Sequence, residues 1–345
     1  MTLLNSLPAS SSSKPLIEDF LRDFDSALAS SISKIDECIV ESALRVTLLG
    51  GKRLRPTLCY LCGFSESKYE DLLKVSVILE LVHVASLVHD DVLDNAQFRR
   101  NQITIHNDIG VNDSILLGDA LFSYALELST EFKDNTVCKV VSHATRKTCS
   151  GEIAQNHTTG NLLLSLEDYI QIISDKTGHL FGASCELGGK FNGCDPFEQQ
   201  ILNEIGISLG VTYQLYDDII DAFGNENKAG KSLGTDFASL KPTLPLILLL
   251  NEVDSAISDE ILRLSSSTEN HQYLIKKISK LYVEYGVLKM CVEFFNVRFN
   301  DTISLINSLN NTNIRNSLTD FIDSFSSKTS SINNLNESNF LAIHS

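Results

Sequence analysis

The chain has 345 residues, 43% hydrophobic and 21% charged, with a formal net charge of −16 and a pI near 4.9. That length is enough to bury one large core or two smaller ones. The acidic balance argues against a general binder of nucleic acid or anionic membrane, because either needs a basic face to gain phosphate attraction.

In chain order, residues 1–14 carry the serine tract Ser10–Ser13 and a single lysine, with no long apolar stretch. This fits neither a secretory signal nor an Arg-rich transit peptide, so a flexible N-terminus and a cytoplasmic location are expected. From residue 15 onward apolar side chains recur at helical spacing: Leu72, Leu73, Val75, Val77, Ile78, Leu81 and Val82, then Leu116, Leu117, Leu121 and Phe122, then Ile201, Ile205 and Leu209. Alternating strands are hard to find, and six prolines leave long segments uninterrupted. Gly, Asn, Asp and Ser content predicts loops at Gly63–Glu66, Asn107–Asn112, Thr158–Leu166, Gly188–Pro196 and Gly224–Leu240. The longest apolar run, Leu244–Leu250, contains Pro245 and is too short to cross a bilayer. No repeat or linker breaks residues 15–323, which predicts one all-α domain. Residues 324–345 turn Ser/Asn-rich and are expected to form a flexible tail. Eight cysteines without regular spacing suggest a reduced setting, and the Cys59/Cys62 pair, lacking a second pair, reads as two small apolar residues on a helix.

The chemistry sits in two acidic clusters. Asp90, Asp91 and Asp94 end an apolar helical segment, and Asp217, Asp218 and Asp221 repeat the same DDxxD spacing later in the chain. Residues i and i+4 share a helix face, so Asp90 with Asp94, and Asp217 with Asp221, each project a carboxylate pair in one direction. Such clusters repel unless a cation offsets them, and oxygen-only ligands suit Mg2+ shared with phosphate. Basic residues concentrate nearby in an otherwise acidic chain: Lys52, Arg53 and Arg55 in GGKRLRP, Arg99 and Arg100 after the first cluster, Lys231 and Lys241 after the second. That pairing of metal-binding acids with local cations points to a diphosphate ligand.

The ordered series GKRLRP, HxASLxHDDxxD, RR, TxH, GD, GExxQ, KT, YQxxDDxxD, GK and KPTLPL resembles the trans-isoprenyl diphosphate synthases, the polyprenyl synthetase family, from about Gly50 to Leu250. The chain departs from the family pattern at Asn101 and Ile103. The resemblance implies antiparallel helices around a deep central cavity with the two DDxxD helices at its mouth, in a homodimer. It implies ionisation of an allylic diphosphate, attack by isopentenyl diphosphate and loss of a proton to the departing diphosphate, with no protein general base. Carried over by position, Asp90, Asp91, Asp94, Asp217, Asp218 and Asp221 hold Mg2+, while Arg99, Lys176, Thr177, Gln214, Lys231 and Lys241 meet the allylic diphosphate. Lys176 and Lys231 count as catalytic. Lys52, Arg53, His83 and Arg100 meet isopentenyl diphosphate.

Product length is read from the residues before Asp90. One helical turn, about 5.4 Å, is close to one isoprene unit, so Ala85 and Ser86 are expected one turn down a tunnel, and Leu81 and Val82 one turn further. None carries a ring, which predicts a long product of roughly six to ten isoprene units on this spacing. Phe122 and Phe132 are two candidates for the tunnel floor. An apolar product of that length implies transient membrane contact for release. The rival readings are a terpene cyclase, which needs no second diphosphate cluster, and a non-catalytic partner subunit, which tends to lose its acidic clusters; here both are whole.

Overall fold

The structure is a computed structural model that describes residues 17–48, 51–99, 102–224, 241–265 and 271–329, together with Ile332 and Leu335. Helices α1 (Ile17–Ile32), α2 (Glu37–Leu48) and α3 (Leu54–Gly63) lead through a short 3-10 turn into the long helix α4 (Tyr69–Leu93). A hairpin of β1 (Phe98–Arg99) and β2 (Gln102–Ile103) follows, then α5 (Ile105–Ile109), α6 (Val111–Ser129), α7 (Thr136–Thr158) and α8 (Leu166–Ile173). A π-helical turn, Ser174–Gly178, joins α8 to α9 (His179–Asn192), and α10 runs from Pro196 to Phe223. Among the described residues the remaining helices are α11 (Leu244–Glu252), α12 (Ser255–Ser265), α13 (His271–Glu284), α14 (Val287–Asn307) and α15 (Thr312–Thr329). The all-α expectation holds.

The described residues group into two compact units where the sequence predicts one domain: those within 1–149, 178–207 and 303–325 in the first, and those within 150–177, 208–302 and 326–345 in the second. Most of these boundaries fall inside α7, α10, α14 and α15, so no linker composition marks them.

In the first unit α4 is the central element, packed by α1, α2, α3, α5, α6 and α9. Its Leu72, Ile78, Leu79, Leu81 and Val82 have no accessible surface, and each such burial contributes about 1.5–3 kcal/mol before chain entropy is counted. The segment Glu66–Leu93 is long and apolar enough to cross a membrane, but 72% of its apolar window is buried inside the fold, as expected of a core helix. Helix α1 presents Phe20, Phe24, Leu28 and Ile32 at four-residue spacing, and all four are buried.

Three expected boundaries need correction. The predicted loop Gly188–Pro196 is helical through Asn192, because Gly188 serves helix packing: a Cβ there would lie 2.6 Å from the Cys59 carbonyl oxygen and 2.8 Å from Cys62 Cβ on α3. The chain turns instead at Gly193, whose φ of +88° suits a helix C-terminus. In the predicted loop 107–112 only Gly110, at φ +91°, separates α5 from α6. Helix α15 continues through Ser324 to Thr329, past the expected start of the tail, because Phe321, Ile322 and Phe325 are buried on one side of it.

In the second unit α11 packs on α8 and α13, and α12 on α13. Ile172, Ile173, Leu246, Ile247, Ile261, Leu274 and Ile278 are buried there.

Candidate active site

The first acidic cluster lies at the C-terminal end of α4, where the helix macrodipole already disfavours negative charge. The segment that follows the helix offsets that cost by bringing Arg99 back to Asp91. The Asp94 backbone N–H donates to the Asp90 carbonyl at 2.8 Å, and the chain then reverses at Asn95, whose φ is +48°. The hairpin pairs Phe98 with Ile103 and Arg99 with Gln102, which returns Arg99 to the helix end. Its Nε and Nη2 both lie 2.7 Å from Asp91 Oδ1. Asp91 is buried and Arg99 half-buried, so the middle aspartate is neutralised locally. Asp90 is half-buried and Asp94 exposed. The threonine of the TxH motif secures the hairpin: Thr104 Oγ1 donates to the Ala96 carbonyl at 2.6 Å, and Asn107 Nδ2 donates to the same carbonyl at 3.1 Å.

One face of α4 runs His83, Ser86, Asp90 at helical spacing, and these three are half-buried. Ser86 Oγ donates to the His83 carbonyl at 2.7 Å. Ala85, Leu81 and Val82 are fully buried in the core, while Ser86, one turn before Asp90, is half-buried. Phe122 packs near the His89 ring at 5.7 Å and Phe132 near Phe191 at 5.6 Å.

Arg53 also needs correction. It caps α3 in a left-handed conformation, φ 47° and ψ 39°, which turns its side chain inward. Nη1 donates to Glu80 Oε1 at 2.6 Å, Nη2 to Asp25 Oδ1 and the Thr47 carbonyl at 3.0 Å, and the guanidinium lies over the Phe24 ring. With 9% of its side chain exposed and Glu80 at 6%, Arg53 is a buried tie among α1, α4 and the end of α2 rather than a diphosphate contact. Lys52 is exposed. The arginine that position-by-position reading passed over is Arg55, half-buried with its guanidinium 4.8 Å above the Phe181 ring of α9. The second arginine of KRLR, on the first turn of α3 two residues after Arg53, is the signal that could have found it. Arg100 and Lys231 lie outside the described residues.

The second cluster lies on the last turns of α10. Asp217 is half-buried, Asp218 and Asp221 buried. Asp218 accepts from the Tyr169 hydroxyl of α8 at Oδ2, 2.6 Å, and from Gln214 Nε2 at Oδ1, 2.8 Å. Thr177 Oγ1 in turn donates to Gln214 Oε1 at 3.2 Å. Four residues of the expected site or its support thus form one chain: Thr177, Gln214, Asp218, Tyr169. No motif marks Tyr169 in the sequence, and only its place seven residues before Lys176, two turns up the same helical run, points to it. Behind Asp221, the Tyr282 phenol is buried against Phe223. Burial, then Cys291 and the Asp221 charge, push its pKa well above the ordinary value.

Lys176 and Thr177 sit on the π-helical turn, a distortion that recurs at functional sites because it re-aims side chains. Lys176 is ion-paired with Glu152 and donates to Gln155 Oε1, 2.6 Å, so the KT and GExxQ motifs meet here. Gly151 allows it: a Cβ on that glycine would lie 2.3 Å from the Lys176 backbone nitrogen. Lys241 is half-buried.

Among the described residues no group of three or more His, Cys, Asp or Glu side chains forms a closed metal cage. The oxygen-only donors fit hard divalent ions that keep water and phosphate ligands, with Asp90 and Asp94 aligned at i and i+4 while Arg99 holds Asp91.

Comparison with known proteins places these observations in a lineage. The family model described as polyprenyl synthetase matches residues 37–282. The chain is 30% identical over 277 residues to the short chain isoprenyl diphosphate synthase of Methanocaldococcus jannaschii, covering 78% of this chain and 84% of that protein. It is 32% identical over 243 residues to heptaprenyl diphosphate synthase component 2 of Bacillus subtilis, covering 70% and 69%. The crystal structure of heptaprenyl diphosphate synthase from Staphylococcus aureus superposes with a TM-score of 0.78 at 26% identity, over 91% of this chain and 99% of that one.

Proposed function

The chain belongs to the polyprenyl synthetase family and is a prenyltransferase, and from that premise we propose that it condenses isopentenyl diphosphate with an allylic diphosphate, repeatedly, to a long-chain all-trans polyprenyl diphosphate. The observation that carries the reading is the paired construction of the two acidic clusters. Each ends a helix, and each has its middle aspartate held by neighbours: Asp91 by Arg99, and Asp218 by Tyr169 and Gln214.

In this reading Asp90, Asp94, Asp217 and Asp221 hold Mg2+, with Asp91 and Asp218 orienting them. Bound Mg2+ supplies Lewis-acid stabilisation of charge on a leaving diphosphate. Arg99, Lys176, Thr177, Gln214, Lys231 and Lys241 meet the allylic diphosphate and stabilise the oxygens that gain charge as its C–O bond breaks. Lys52, Arg55, His83 and Arg100 meet isopentenyl diphosphate directly, and hold its double bond against the allylic carbon. The proton lost after the new bond forms passes to the departing diphosphate. Arg53 stabilises the fold beneath Lys52. The proposal includes a homodimer, a cytoplasmic location and transient membrane contact as the apolar product leaves.

A shorter product is the second reading, favoured by the full burial of Ala85, Leu81 and Val82. Incubation of the purified chain alone with labelled isopentenyl diphosphate and farnesyl diphosphate, with and without Mg2+, tests both. Products of about six to ten units support the long-chain reading, and arrest after one or two additions supports the shorter one. No metal-dependent elongation from any allylic starter would overturn the stand-alone synthase.

A further inference from the structure

His89, immediately before the first acidic cluster, lies in a place built for its ring. Helix α6 presents Ile115, Gly118, Asp119 and Phe122 on one face, at the spacing i, i+3, i+4, i+7. Nε2 of His89 is 3.0 Å from the Ile115 carbonyl oxygen. A carbonyl can only accept, so Nε2 carries the proton and donates. The same nitrogen is 3.7 Å from Asp119 Oδ1, and the ring lies 5.7 Å from that of Phe122. Gly118 leaves the notch: a Cβ there would come within 2.2 Å of Nε2 and 2.5 Å of Cδ2.

The last turn of α4 is where this contact matters. Three aspartates at a helix C-terminus repel one another and oppose the macrodipole, so that turn is the part of the helix most ready to fray or rotate. Arg99 restrains it from the hairpin side through Asp91. His89 is one residue from Asp90, so a ring fixed in α6 fixes the rotation of the turn about its axis, and with it the direction of the Asp90 and Asp94 carboxylates.

We propose that His89, seated in the Gly118 notch of α6, is a positioning residue that sets the geometry of the first acidic cluster for its metal-bound diphosphate. The inference rests on the synthase reading. It assigns the glycine of the GD motif a purpose as well, which is to admit the ring.

The test compares the intact chain with H89Q, H89F, H89A, G118A and the H89A/G118A double variant. The readouts are the Mg2+ concentration giving half-maximal elongation, kcat, KM for isopentenyl diphosphate and Tm. Loss of one such hydrogen bond is expected to raise the Mg2+ requirement of H89F about five- to tenfold with KM for isopentenyl diphosphate unchanged, and H89Q, which keeps an N–H donor, recovers most of it. G118A alone is strongly impaired, while in the H89A background the added methyl costs little because the ring is gone. An unchanged Mg2+ requirement in H89F, or a G118A penalty that is the same with and without the ring, overturns the inference. Should H89F fail to fold, H89A and H89A/G118A decide it by the same two criteria. An inactive wild-type chain removes the synthase reading and this inference together, whereas an active wild type with indifferent variants removes this inference alone.

Discussion

Replacing Tyr169 with phenylalanine removes one hydroxyl and leaves the ring packing intact. That hydroxyl is 2.6 Å from Asp218 Oδ2, with Tyr169 at 3% and Asp218 at 4% exposure, so water does not readily replace it. A hydrogen bond to a charged group contributes about 1.5–3 kcal/mol. If the loss is expressed in catalysis, each ~1.36 kcal/mol is a factor of ten, and kcat/KM for the allylic diphosphate falls about 10- to 150-fold. Tm falls with it. Steady-state kinetics over both substrates, with Y169F measured alone and combined with D218N, gives the value. The two losses should be far from additive, because both act on one bond. Y169F activity within about twofold of wild type, or additive losses, would refute the view that Tyr169 acts through Asp218.

Arg53→Ala breaks a buried ion pair and leaves Glu80 uncompensated, so it is expected to destabilise by about 3–5 kcal/mol in denaturant unfolding. Its KM for isopentenyl diphosphate stays near wild type, whereas Lys52→Ala raises that KM without moving the unfolding midpoint. Gly151→Ala forces a methyl to within 2.3 Å of the Lys176 backbone nitrogen, so it displaces the π turn and depresses kcat more than Tm. Thiol alkylation near pH 8, read by mass spectrometry, labels exposed Cys38 and Cys149 first. Burial pushes the Cys59 thiol up to about 12, and its Cys185 contact and burial raise Cys62. These two stay protonated and unlabelled until the chain unfolds, and rapid native labelling of either would contradict the packing of α3 on α9.

The helical class was legible because apolar periodicity survives any detail of packing, and the two acidic clusters because DDxxD fixes a face of a helix. The roles of the basic residues came from a resemblance, and the structure revises one of them. Nothing in GKRLRP reveals that Arg53 adopts a left-handed backbone and turns inward, since that follows from partners at Asp25 and Glu80 far away in sequence. Glycine misled in the opposite sense. Gly188 reads as a turn but sits inside α9, where the absence of a side chain admits α3, a use that only tertiary contact discloses. Spacing places Ala85, Leu81 and Val82 along α4 without saying which neighbours cover them, and the fold buries all three in its core. The π turn that carries Lys176 and Thr177 has no composition signal of its own.

Elongation by the purified chain and by its Asp90→Asn and Asp217→Asn variants, side by side in Mg2+, tests the paired-cluster assignment most directly. The prediction is metal-dependent condensation by the wild type and losses of about 10²–10³-fold in each variant. A wild type that elongates while either variant keeps near-normal turnover would contradict the assignment of both clusters to the leaving diphosphate.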